Sequence, residues 1–102
     1  MRKITQLASK AFNSGEPFSL DNTLVKVSDS GVTISLLLHG NLIAVHDGDS
    51  LKITASGWNT PTTKERLNGL NGVTVNIKKG QLYLNGKVWG GEWVDVKEWD
   101  EV

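Results

Sequence analysis

A chain of 102 residues can bury one hydrophobic core, roughly two thirds of the surface its unfolded form exposes, and not two. Eleven Lys plus Arg balance eleven Asp plus Glu, so no overall field draws the chain to nucleic acid or an acidic membrane, and it is not acidic enough to imitate DNA by bulk charge. The absence of cysteine excludes disulfides, thiolate metal sites and cysteine nucleophiles together, and fits a reducing compartment.

Met1-Arg2-Lys3-Ile4 carries charge, but no apolar segment of signal or membrane-span length follows it, so the chain reads as intracellular and untargeted. Ile4, Leu7, Ala8, Ala11 and Phe12 recur at helical spacing, with Thr5, Gln6, Ser9, Lys10 and Asn13 on the other face. The pattern predicts an amphipathic helix of about three turns. It should stop at Ser14-Gly15, where glycine can take the left-handed cap, and Pro17 prevents it from resuming.

Four β segments follow, at Thr23 to Ser28, Val32 to Leu38, Leu42 to His46 and Leu51 to Thr54, separated by the short turns Asp29-Ser30-Gly31, His39-Gly40-Asn41 and Asp47-Gly48-Asp49. Connections this short demand antiparallel neighbours, hence a meander. Alternation places Val32, Ile34, Leu36 and Leu38 on one face and Thr33 and Ser35 on the other. Leu37 breaks that pattern and predicts that a helix covers part of the second face.

Thr60 can cap a short helix with Pro61 at its first position, or Thr62 can cap with Glu65 completing a capping box. Either start turns Leu67 and Leu70 to the core, ends at Gly69 or Gly72, and leaves Lys64 and Arg66 exposed. Val73 to Ile77 and Gln81 to Leu84 then form a hairpin around Lys78-Lys79-Gly80, with Val73, Val75, Ile77, Leu82 and Leu84 inward and Tyr83 outward. The triplet Leu-Asn-Gly at 67, 70 and 84 is turn chemistry, too short to be a repeat.

The end of the chain, 90–102, reads as an acidic, Trp-rich tail. Trp93 and Trp99 stand among Glu92, Asp95, Glu98, Asp100 and Glu101, with Lys97 the one cation. It is either an exposed partner-binding segment or the closure of a core that has few other aromatics. Trp89 and Trp93 fit the closure better, and Trp99 fits an exposed contact.

Chemistry-bearing motifs are sparse. No phosphate-binding Gly-x-x-x-x-Gly-Lys, no His-Glu-x-x-His and no nucleophile elbow occurs, so the chain is not read as an enzyme and no catalytic residue or cofactor is assigned. His39, His46, Asp47 and Asp49 are close in sequence but fit turn geometry better than a metal site, and the Asp-Gly pieces lack calcium-loop spacing. What remains is a basic, partly aromatic set, Lys64, Arg66, Lys78, Lys79 and Tyr83, which could receive phosphates or an acidic partner. The alternative is structural: Trp58 anchors the core and Arg66 pairs with a nearby carboxylate.

The pattern Gly57-Trp58-x-Thr60-x-Thr62-Thr63-x-x-Arg66-Leu67-Asn68, followed by a strand with Val73 and by Leu82-Tyr83-Leu84-Asn85-Gly86-Lys87-x-Trp89, resembles a family of small bacteriophage and prophage proteins. Leu38-His39-Gly40-Asn41 and the opening helix fit the same plan, so the resemblance covers most of the chain. It implies an accessory protein made during infection rather than a part of the virion, and brings no catalytic residues to transfer.

The resulting expectation is a single small α+β domain over 1–102: an N-terminal helix, a four-stranded antiparallel meander, a short helix and a C-terminal β-hairpin. The expected function is non-catalytic binding and modulation of a host protein, with defence proteins among the candidates, in the host cytoplasm, through Lys64, Arg66, Lys78, Lys79, Tyr83 and Trp99. The alternative is nucleic-acid binding through the same basic and aromatic residues. No metal, cofactor or membrane contact is expected, and an unpaired edge strand with a Trp-rich tail is compatible with a homodimer.

Overall fold

The computed structural model describes residues 2–55 and 60–101, so the anchor expected at Trp58 lies outside the described residues. The first helix, α1, spans Lys3–Ser14 and ends on Gly15 at φ 71, whose N–H reaches the Ala11 and Phe12 carbonyls. Its buried stripe is Thr5, Ala8, Ser9, Ala11 and Phe12, while Leu7 is exposed. The helix is therefore rotated from the orientation that hydropathy predicts, with two hydroxyl residues facing inward.

Strands β1 (Phe18–Leu20), β2 (Thr23–Val27), β3 (Thr33–Leu38), β4 (Asn41–Asp47) and β5 (Ser50–Ile53) form the antiparallel meander. A late strand, β9 (Val94–Asp95), pairs with β5, giving six strands in the order β1-β2-β3-β4-β5-β9 rather than four. The added strands are only three and two residues long, too short for alternation to reveal. Leu36 pairs with Ala44 but Leu37 pairs with Leu42, so Ile43 is the extra residue of a β-bulge. The bulge lets Ile43 and Ala44 both be buried in succession.

Leu37 is not covered by a helix as alternation suggests. It lies in register with Leu24 of β2 and Leu42 of β4, half-buried in a short leucine row on the outer sheet face. Val32 falls outside β3 and is exposed, so it is not part of the core row.

Helix α2 spans Pro61–Asn68, with Thr60 as its cap: the Thr63 N–H donates to Thr60 Oγ1 at 3.2 Å and Pro61 occupies the first helical position. The capping box is not used, because the Glu65 carboxylate turns to α1 instead. After α2 come β6 (Val75–Lys78), β7 (Gln81–Leu84) and β8 (Lys87–Val88), a separate three-stranded sheet where a two-stranded hairpin was expected. A third helix, α3 (Val96–Asp100), closes the chain.

One apolar cluster joins the layers: Phe12 of α1, Val25, Leu36 and Ile53 of the large sheet, Leu67 of α2, Val75, Leu82 and Leu84 of the small sheet, Trp89 and Val96. Each fully buried aliphatic side chain here contributes about 1.5–3 kcal/mol before the entropy of ordering is set against it.

The three Asn-Gly pairs do different work. Asn85 and Gly86 take positive φ in the β7–β8 turn, as turn chemistry predicts. Asn68, however, is helical and clips the edge of β6: its Nδ2 donates to the Val75 carbonyl at 2.9 Å and its Oδ1 accepts the Val75 N–H at 2.6 Å. The amide thus supplies the bonds a neighbouring strand would make and blunts that edge. Gly69 has φ −78, which any residue adopts, but a Cβ there would stand 1.7 Å from Ser9 Oγ. It is glycine because α1 passes that close.

Candidate partner-binding surface

Arg66 is not exposed, as the spacing of α2 suggests, but 2 % accessible. Its Nε donates to Thr23 Oγ1 at 3.0 Å, and its Nη1 donates to Glu65 Oε1 at 3.0 Å and to Thr5 Oγ1. The side chain therefore ties α2 to α1 and β2 at once. Glu65 also accepts from the Thr5 hydroxyl and from Arg2 Nε at 3.1 Å. The Thr5 hydrogen bond, with Arg2 and Arg66 nearby, holds the Glu65 carboxyl below its usual range against the opposing effect of burial. Burial pulls the Arg66 guanidinium downward, with Arg2 adding to this and Glu65 opposing it. The structural alternative, an arginine paired with a nearby carboxylate, is the arrangement present, and Arg66 cannot touch a partner without unfolding the α1–α2 contact.

The small sheet carries the other candidates. β6 and β7 alternate so that Val75, Leu82 and Leu84 are buried and Asn76, Lys78, Gln81 and Tyr83 face outward. Tyr83 is half-buried and sits in register between Asn76 and Val88, with Lys78 Nζ 5.9 Å from its ring centroid. Val88 is 60 % exposed. The β6–β7 turn holds Lys79 at φ 51 and Gly80 at φ 78, the geometry in which Asn-Gly is the usual low-cost pair. A lysine there bears a steric cost. Among the described residues neither Lys78 nor Lys79 has a carboxylate within ion-pair reach. Lys78, Lys79 and Tyr83 thus form one patch, with Val88 and Asn76 added. Lys64 sits on α2, half-buried, and not on the hairpin that carries the other three.

The C-terminal end reverses the expected roles of two tryptophans. Trp99 packs against the core, donates its indole N–H to the Leu84 carbonyl at 2.9 Å, and lies 5.0 Å beneath Lys87 Nζ. It holds α3 to the small sheet and is not the free contact expected of it. Trp93 is 48 % exposed, whereas Trp89 is 1 % exposed and donates to the Glu92 carbonyl at 3.0 Å. The acidic segment is folded onto the domain through β9 and α3. Asp95 caps α3, accepting the Lys97 and Glu98 N–H groups at 3.0 and 3.2 Å and the Ser50 hydroxyl at 2.8 Å. The Ser50 hydrogen bond, then the Glu98 N–H, keeps its carboxyl below the usual value.

Asp47, Asp49, Asp95, Glu98 and Glu101 line an open groove at this end. His39 lies in the β3–β4 turn and Asp49 in the β4–β5 turn, at opposite ends of β4. Among the described residues no group of three or more His, Asp or Glu gathers into a metal-ligand set. No helix among them is long and apolar enough to cross a membrane.

Val88, Trp93 and the burial of Arg66 are what sequence reasoning missed. Val88 could have been found from its pairing: one strand beyond the hairpin, opposite Tyr83, it must share that residue's outward face. A family model described as the Kyanoviridae Gp96 protein matches residues 1–101. No curated protein and no solved structure matches the chain.

Proposed function

The chain belongs to the Kyanoviridae Gp96 protein family of bacteriophage proteins, and from that premise we propose that it is a non-catalytic accessory protein that binds and modulates a host protein in the host cytoplasm. The contact is the outer face of the small sheet, Lys78, Lys79, Tyr83 and Val88. The observation that carries this reading is the exposed Val88 in register with Tyr83, with Lys78 Nζ 5.9 Å from that ring and neither Lys78 nor Lys79 in an ion pair among the described residues. Aliphatic, aromatic and cationic groups side by side suit a protein surface of mixed apolar and acidic character.

The nucleic-acid reading is weaker for a specific reason. Of its five residues Arg66 is interior and Lys64 is half-buried on α2, leaving two exposed cations and one ring on the small sheet. Two cations release few counterions, so the salt slope would be only about −2.

The test is affinity capture from host lysate, with and without nuclease treatment, using wild type and Lys78→Glu/Lys79→Glu. The reading predicts a host protein retained by wild type and reduced at least about tenfold by the double variant, a loss of about 1.4 kcal/mol. Equal recovery by both proteins refutes this surface. Capture that disappears on nuclease treatment supports the nucleic-acid reading instead.

A further inference from the structure

The inner face of the large sheet ends in a row that should be apolar and is not. Ile34 of β3, His46 of β4 and Leu51 of β5 stand in register, and the imidazole takes a place its neighbours fill with aliphatic carbon. A polar group in an apolar row is the informative exception. The imidazole is half-buried and lines a cleft that opens to solvent. The cleft, of about 170 Å³, is lined by Phe12, Asn13, Ile34, His46, Leu51 and Asn71.

The walls of this cleft belong to the core or pack against it, and its rim is hydrogen-bonded. Phe12 is buried in the main core, and Ile34 and Leu51 pack against that core. At the rim, Asn13 Oδ1 accepts the Asn71 N–H at 3.3 Å and Asn13 Nδ2 donates to the Gly69 carbonyl at 3.2 Å, tying the end of α1 to the 69–71 turn. Two hydrogen-bonding groups on the lining stay unused. Neither the His46 imidazole nor the Asn71 carboxamide has a side-chain hydrogen bond among the described residues.

Size and chemistry together select an occupant. A cavity of about 150 Å³ lined by aliphatic and aromatic carbon holds one benzene ring, and this cleft is slightly larger, with polar groups on one side. The geometry points to a binding site for a small molecule made of a single aromatic ring bearing one hydrogen-bonding substituent. The ring lies against Phe12, Ile34 and Leu51, and the substituent meets His46 or Asn71. This site lies on the large sheet and α1, and does not depend on the surface of the small sheet. At about 0.6 kcal/mol per non-hydrogen atom, between the extremes for small ligands, a seven-atom probe binds with about millimolar affinity.

The test compares phenol with toluene, two probes of the same shape that differ in a hydroxyl and a methyl group, by NMR titration of the wild-type protein. Phenol should shift the resonances of Phe12, Ile34, His46 and Leu51 together, and bind about 2–10-fold more tightly than toluene, as one net hydrogen bond allows. His46→Leu, checked for an unchanged backbone spectrum, should keep toluene binding and reduce the ratio towards one. Should His46→Leu not fold, Asn71→Ala at the exposed rim serves as the second variant, and the wild-type ratio stands as a test by itself. Shifts absent from the cleft, equal binding of the two probes, or a preference for phenol that survives both substitutions would overturn the proposal.

Discussion

Replacing Arg66 by alanine separates an interior arginine from a surface contact, and its cost can be worked from the bonds it makes. The guanidinium donates to Thr23, Thr5 and Glu65, and the side chain is 2 % accessible. Thr23 keeps a bond to Asn22, and the Thr5 hydroxyl still donates to Glu65, so the remaining hydroxyl groups are not orphaned. What is lost is the packed volume of the side chain and hydrogen bonds from a charged donor to three elements, at about 1.5–3 kcal/mol each; Glu65 is 28 % accessible and keeps Arg2, so no buried charge is orphaned, and the loss is about 3–5 kcal/mol. At a urea slope of about 1.5 kcal/mol/M for a chain of this size, the unfolding midpoint falls by about 2–3 M. Four tryptophans make fluorescence a suitable assay. Arg66→Lys keeps the charge but not the planar fork, and should cost less, about 1–2 kcal/mol. A midpoint for Arg66→Ala within about 0.3 M of wild type, the range of an ordinary surface change, refutes the interior assignment.

Gly69→Ala should lower stability by about 1–3 kcal/mol in the same assay, because the new Cβ meets Ser9, and Ser9→Gly should recover part of the loss. Trp99→Ala should cost about 3–5 kcal/mol and Trp93→Ala less than about 1 kcal/mol, opposite to what distance from the chain end suggests; thermal melts of the two variants check this. Glu65 has a folded pKa below its usual 4.5, so its contribution to stability is present above that value and lost as pH falls through the lowered one. Urea midpoints measured from about pH 6 to pH 3 should therefore fall more steeply for wild type than for Glu65→Gln.

Much of the architecture was legible in the sequence because its signals are local. The stop of α1 at Gly15, the Thr60-Pro61 start of α2 and the alternation of β6 and β7 each follow from a few adjacent residues. What was not legible depends on long-range packing. The hydroxyls of Thr5 and Ser9 look like a solvent face until α2 arrives with Arg66 and Gly69 to meet them. Arg66 looks exposed on the spacing of its own helix, because the spacing carries no information about Thr5 or Thr23 more than forty residues away. Trp99 sits near the chain end, where fraying is the ordinary expectation, yet the Leu84 carbonyl and Lys87 fix it. Of the candidate site, the trio Lys78, Lys79 and Tyr83 was legible because one hairpin holds all three. Val88 needed the third strand.

The central claim is that a host protein is met by the outer face of the small sheet while Arg66 stays inside. Its most direct measurement places a photo-crosslinking amino acid at Tyr83, and separately at Leu7, an exposed apolar residue on α1, and irradiates host cells making each protein. The account predicts a discrete host-protein adduct from position 83, absent when Lys78→Glu/Lys79→Glu is added, and none from position 7. The same adduct from position 7, or one from position 83 that persists after charge reversal, would contradict it.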